Sequence, residues 1–237
     1  MVVPAAVVSV VVVGTVAALG GLPQVMSFLT EQDQRGLQIE APGATPWLVT
    51  ALWAPSVTRV LNEPLVTWEL HGPGTQAAAD VLGALFFLAL GAATLLLWWR
   101  REQLGDRLWS GGIVRTELLV RGALLLTLAM IVFNKVGSPQ YIAWLAAPLV
   151  VALVIDRHRW FKPAALGLAI ALLTFIVYPL TYWGILIALP FPAALLTARN
   201  VLLAVLFVWV LIRLGRVQIH PHVHARSLAR RSRAAAV

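Results

Sequence analysis

The chain has 237 residues, 60% of them hydrophobic and only 12% charged, whereas a soluble domain runs nearer half apolar and a quarter charged. Its formal net charge is +8. The positive residues sit between and after long apolar blocks, which is a topology pattern and argues against a nucleic-acid partner. There is no cysteine, so disulfides and thiol chemistry are excluded.

Blocks of about 20 apolar residues are what a hydrocarbon core roughly 30 Å thick requires. Spanning segments must satisfy their own backbone hydrogen bonds, and these blocks do not alternate as barrel strands do. The expectation is an all-α, polytopic membrane protein with about six transmembrane helices. Span one is predicted at 2–22; no Lys or Arg precedes it, unlike the basic start of a secretory signal. Residues 23–78 form one long polar loop. Within it, the Trp-rich stretch from Pro46 to Trp53 is too short to cross and predicts an interfacial helix. Spans two to four are predicted at 79–99, 116–134 and 141–155. Span five covers 163–189 and carries Pro179, which lacks the N–H needed inside a helix and predicts either a kink or a helix followed by a short outer segment. A turn at 190–198 leads to span six at 199–214. The membrane domain is thus 1–214, followed by a basic tail, 215–237.

Thirteen of the eighteen Lys and Arg fall in the loops 100–115 and 156–162 and in the stretch from Arg213 onward. Arg35, Arg59, Lys135 and Arg199 fall on the other side, and Arg121 lies within span three. The positive-inside rule then places both termini in the cytoplasm of a multi-pass cell-membrane protein, with 23–78, 134–140 and 190–198 outside.

Two polar constellations share that outer side. The first is Asp33-Gln34-Arg35-Gly36-Leu37-Gln38-Ile39-Glu40. It supplies a guanidinium whose fork suits phosphate oxygens, and an amide and carboxylates suited to sugar hydroxyls. It also fits a solvated loop with an ordinary surface ion pair. The second is Phe133-Asn134-Lys135-Val136-Gly137-Ser138-Pro139-Gln140-Tyr141, with Trp144 beyond it. Polar groups between two apolar segments need partners or a wet cavity. Lys135 can meet a phosphate while Asn134, Ser138 and Gln140 donate hydrogen bonds, or it can snorkel from an interfacial turn. If the two constellations meet, Arg35 and Lys135 can surround an anionic lipid head group. Glu117 and Arg121, four apart, predict a structural ion pair. Asp80 is a weaker functional candidate. His220, His222 and His224 alternate across a proline in the basic tail and predict no metal site; that tail suits anionic lipid.

The stretch Arg35-Gly36-Leu37-Gln38-Ile39-Glu40 resembles a segment of glycosyltransferase family 87, the polyprenyl-phosphate-mannose-dependent mannosyltransferases. Phe133-Asn134-Lys135 with Ser138-Pro139-Gln140-Tyr141 and Trp144 resembles the same superfamily, and is similar to a stretch of the catalytic subunit of GPI mannosyltransferase I. The resemblance spans roughly residues 20–160. It implies a GT-C type membrane enzyme that transfers mannose, with inversion, from a polyprenyl-phosphate donor to a glycan or glycolipid acceptor of the cell envelope, without a cofactor. Donor phosphate and sugar would be bound by Arg35, Gln38, Glu40, Asn134, Lys135, Ser138, Gln140 and Tyr141. Family members are nearly twice as long, and their catalytic acid, in the first outer loop, has no matching position here. Glu40 and Asp33 are the nearest acidic candidates. The chain is therefore expected to be a fragment corresponding to a C-terminal module, a chain with a mis-called start, one half of a split enzyme or a non-catalytic relative. The alternatives are a membrane subunit that binds a polyprenyl-linked substrate, or a small lipid or solute transporter component.

Overall fold

In the computed structural model, residues 2–21, 23, 35–105, 108 and 112–215 are described. Helix α1 (Val2–Ala18) is apolar apart from Ser9 and Thr15 and exposed along most of its length. Helix α2 (Thr45–Thr50) and an antiparallel hairpin, β1 (Thr58–Asn62) with β2 (Thr67–His71), follow. Then come α3 (Thr75–Leu104), α4 (Gly112–Val132), α5 (Ala146–Ile155), α6 (Arg157–Phe175), α7 (Tyr182–Leu186) and α8 (Pro190–Gly215).

Three helical stretches among the described residues are long and apolar enough to cross a membrane: Thr75–Leu104, Arg157–Leu186 and Pro190–Leu214. Shorter apolar helices cover Ala6–Ala18 and Pro139–Ile155. Helix α4 is 21 residues long, with Arg115, Glu117 and Arg121 grouped in its first half.

Local chemistry sets the helix ends. Gly74, in the left-handed conformation, precedes α3, and Thr75 folds its hydroxyl back to donate to the Gly72 carbonyl at 2.9 Å. Gly105, at φ +46°, ends α3 with its N–H on the Arg101 carbonyl. Asp156 is extended and caps α6, its carboxylate accepting the Arg159 N–H at 3.0 Å. Pro179 sits in a π-helical stretch, Ile176–Thr181, that joins α6 to α7. There the Thr181 hydroxyl donates to the Ile176 carbonyl at 3.2 Å. The helix departs from regular α geometry at the proline.

One expectation is corrected. Residues 190–198 are not an outer turn but the first turns of α8. Pro190 and Pro192 are tolerated there because first-turn N–H groups lack intrahelical acceptors. Thr197, Arg199 and Asn200 look like a boundary in sequence, yet Arg199 and Asn200 are buried within the helix. The all-α expectation also needs an addition, the hairpin in the long loop.

The side chains form two cores. The first lies among α4, α5, α6 and α8 and is almost wholly apolar: Leu124, Leu125, Leu128, Leu145, Leu149, Ile170, Leu203 and Leu206 are examples. Trp160 and Trp209 meet edge to face within it at 5.6 Å. At one end of this bundle the basic residues collect. Glu117 bridges Arg121 at 3.0 Å and Arg159 at 3.7 Å, and Arg121 also donates to the Arg213 carbonyl. The predicted Glu117–Arg121 pair is thus formed. The second core lies at the opposite end, where residues 37–57 and the hairpin form a cap. Leu37, Ile39, Leu48, Val57 and Leu70 pack there on Val177, Ile185, Ala193 and Leu196.

Candidate functional site

The described part of the first constellation, which belongs to the cap, is docked on the second. Residues 37–39 are extended and lie beside β2: the Ile39 N–H donates to the Trp68 carbonyl and the Leu70 N–H to the Leu37 carbonyl. Leu37 and Ile39 are buried in the apolar core of the cap, and Gln38 and Glu40, in the turn that the Ala41 N–H closes on the Gln38 carbonyl, are buried as well. On the edge away from β2, the Gln38 N–H donates to the Lys135 carbonyl at 3.1 Å. The Gln38 side-chain oxygen accepts the Gly137 N–H at 2.9 Å, linking positions 99 apart.

The second segment is shaped for this contact. Asn134 turns its side-chain oxygen onto the Val136 N–H at 2.9 Å, an Asx turn that reverses the chain after α4. Ser138 is extended, as a residue before proline must be, and Pro139 opens a 3-10 turn, Pro139–Leu145, into α5. Gly137 lies backbone to backbone against Glu40 and Ala41, where any Cβ would overlap the Glu40 carbonyl. Tyr141 and Trp144 stack with ring centroids 4.7 Å apart, and Gln140 is exposed.

Within this junction the candidate residues divide. Gln38 and Glu40 are buried and engaged by the protein. Arg35 and Lys135 are half-buried at its edge, and the Arg35 Nε has no protein hydrogen bond. Asp33 lies outside the described residues, as does the tail from residue 216 with its histidines. Asp80 accepts from Gln76 on the exposed surface of α3, away from these contacts.

Residues that sequence reading passed over hold the junction in place. The Glu40 carboxylate accepts a short hydrogen bond from the Tyr182 hydroxyl, and its carbonyl accepts from the Arg199 guanidinium at 3.1 Å. Burial pushes the Glu40 carboxyl above its ordinary value, against the opposing pull of the Tyr182 hydrogen bond and the Arg199 charge. Asn200 donates to Thr45 at 2.8 Å, fastening the start of α2 to α8. Glu69, also buried, accepts from the Gly36 N–H and from Asn62, both at 3.0 Å. It therefore fixes the backbone one residue beyond Arg35. Nothing local announces Tyr182 or Arg199, whose partners are 142 and 159 positions away.

Apolar helices of membrane-spanning length, gathered into a bundle with a basic end and a folded cap, define a helical membrane protein. No protein-family model, curated protein or solved structure matches the chain.

Proposed function

We propose that this chain is the donor-holding module of a membrane glycosyltransferase, taking a sugar, mannose by the resemblance, from polyprenyl phosphate at the extracytoplasmic face. The observation that carries the reading is the junction itself. The only two outer segments singled out for phosphate and sugar chemistry are hydrogen-bonded through Gln38, Lys135 and Gly137, although far apart in sequence. Arg35 and Lys135 are the donor-phosphate ligands in this reading. Asn134, Ser138, Gln140 and Tyr141 shape the rim, while Gln38 and Glu40 position the two strands of chain.

The reading includes six spans with both termini in the cytoplasm. It is supported by the gathering of Arg121, Arg159 and Arg213 at one end of the bundle and of the cap at the other. In the transfer, a base takes the acceptor hydroxyl proton, the acceptor oxygen bonds to the anomeric carbon, and the carbon–oxygen bond to phosphate breaks. The leaving phosphate carries the electron pair, and cations at Arg35 and Lys135 stabilise it.

The burial of Glu40 favours a specific form of this proposal, in which the chain holds the donor and another polypeptide supplies the base. A carboxylate covered by Tyr182 and the cap does not reach an acceptor hydroxyl. The test is to reconstitute the purified chain in lipid with radiolabelled polyprenyl-phosphate mannose and a glycolipid extract. Donor binding without transfer is the expected result, and transfer by the chain alone would place the base within it. Arg35→Ala and Lys135→Ala should each weaken donor binding about tenfold or more, the loss of a charge-assisted phosphate contact. Unchanged binding in both variants sinks the donor reading.

A further inference from the structure

At the basic end, away from the capped junction, α3 and α4 enclose a groove of about 590 Å³, within the ~300–1,000 Å³ range of small-ligand clefts. The helices touch at Gly122, where a Cβ would stand 2.9 Å from Leu97, and the groove opens from there toward the loop that joins them. Its walls are apolar, with Leu97, Leu118, Ala123 and Leu126 among them. Arg101 and Arg115 also line it, and among the described residues no Asp or Glu does. From Arg115 to Leu126 the groove follows α4 for about 17 Å at 1.5 Å per residue.

Two further features set its depth. Trp98 lines the groove and Trp99 is its exposed neighbour, and indoles collect at the head-group level of a bilayer. Arg101 lies over the Trp98 ring at 5.6 Å and Arg100 over Trp99 at 4.9 Å, so guanidinium groups are held at that same level. An apolar slot that runs inward from a pair of arginines at the interface matches one kind of molecule in both shape and charge.

We propose that this groove binds an anionic phospholipid of the adjacent leaflet, one acyl chain between α3 and α4 and the phosphate on Arg101 and Arg115. The proposal does not rest on the donor reading, because none of its residues belongs to the junction. Two basic groups near a membrane surface together change affinity for anionic lipid on the order of twentyfold.

The experiment is native mass spectrometry of the purified full chain, exchanged from detergent with equal amounts of phosphatidylglycerol and phosphatidylcholine of the same chains. One phosphatidylglycerol should be retained in preference. Arg101→Ala with Arg115→Ala should lower that preference on the order of twentyfold, and the Lys pair should restore part of it. Ala123→Phe, which fills the slot without changing charge, should also release the lipid. Arg157→Ala, at the same end but outside the groove, should leave it bound. Equal retention of both lipids by the native chain, retention unaltered in the Arg101/Arg115 variant, or an equal loss in Arg157→Ala would overturn the site. So would retention in Ala123→Phe, which would reduce it to surface charge, or selective displacement by a polyprenyl phosphate.

Discussion

The bundle and the cap solve the packing problem by different means. In the bundle, leucines from four helices fill the core, and Arg121 and Thr174 are its buried polar exceptions among the described residues. In the cap and the helix ends beneath it, Gln38, Glu40, Glu69, Thr75, Arg199 and Asn200 are all buried. Most of them bond to a partner distant in sequence. The difference follows from the solvent on each side. Lipid gives no hydrophobic drive for one helix to choose another, so the bundle relies on close packing. On the proposed topology the cap folds against water, and it must also register an irregular loop, which needs directional bonds and close backbone approach.

The sharpest way to break the cap without touching the bundle is Gly137→Ala. The added methyl would meet the Glu40 and Ala41 backbone, which has no flexible end to give way. We expect a cost of about 4 kcal/mol or more, beyond the usual ~1–3 kcal/mol of overpacking, because main chain has to move. Limited proteolysis should then cut within residues 35–74 while the bundle stays resistant. Protection equal to that of the native chain would show that the docked junction does not exist in the folded protein.

A matched pair of truncations sharpens the contrast. Leu48 in the cap and Leu128 in the bundle are both fully buried. Leu48→Ala should cost about 3 kcal/mol, the transfer and cavity terms together. Leu128→Ala should cost closer to 1–2 kcal/mol, because a side chain leaving the bundle enters lipid, and only packing is lost. Unfolding of both variants in bilayer-like micelles measures the difference. Equal costs would mean that the two cores face the same solvent, against the membrane assignment of the bundle.

How far the sequence reveals each region follows from the same physics. Long apolar blocks announce α3, α6 and α8 because a membrane demands length and apolarity and little else. That the helix departs from regular α geometry at Pro179 is legible from one missing N–H, but its π-helical form is not. The docking of Arg35–Glu40 on Asn134–Gly137 is legible only as a shared side of the membrane; the hydrogen bonds that join them are non-local. Arg199 misled, since a charged residue between apolar stretches looks like a loop until its acceptor, the Glu40 carbonyl, is known. The hairpin was hidden because β1 and β2 are five residues each and only Glu69 and Leu70 among them are buried, which leaves little apolar signal.

The smallest expected effect tests what the buried carboxylate contributes to the cap. Glu40 has its carboxyl raised above an ordinary value of 4.5, chiefly by burial. In the folded state it therefore binds a proton over a pH range where the unfolded chain does not. Stability should fall as pH rises from about 4.5 through the folded value and level off above it, since the folded state binds more protons in that window. Glu40→Gln keeps an oxygen to accept from Tyr182 and cannot ionise, so the variant should gain on the native chain as pH rises and match it at low pH. Tyr182→Phe removes the donor that stabilises the charged form and should steepen the native decline. The measurement is cap protection from proteolysis as a function of pH, read as the difference between variant and native chain so that other titrating groups cancel. A difference that stays constant with pH would mean that Glu40 does not change its protonation on folding. Its tie to Tyr182 would then serve to fix geometry alone.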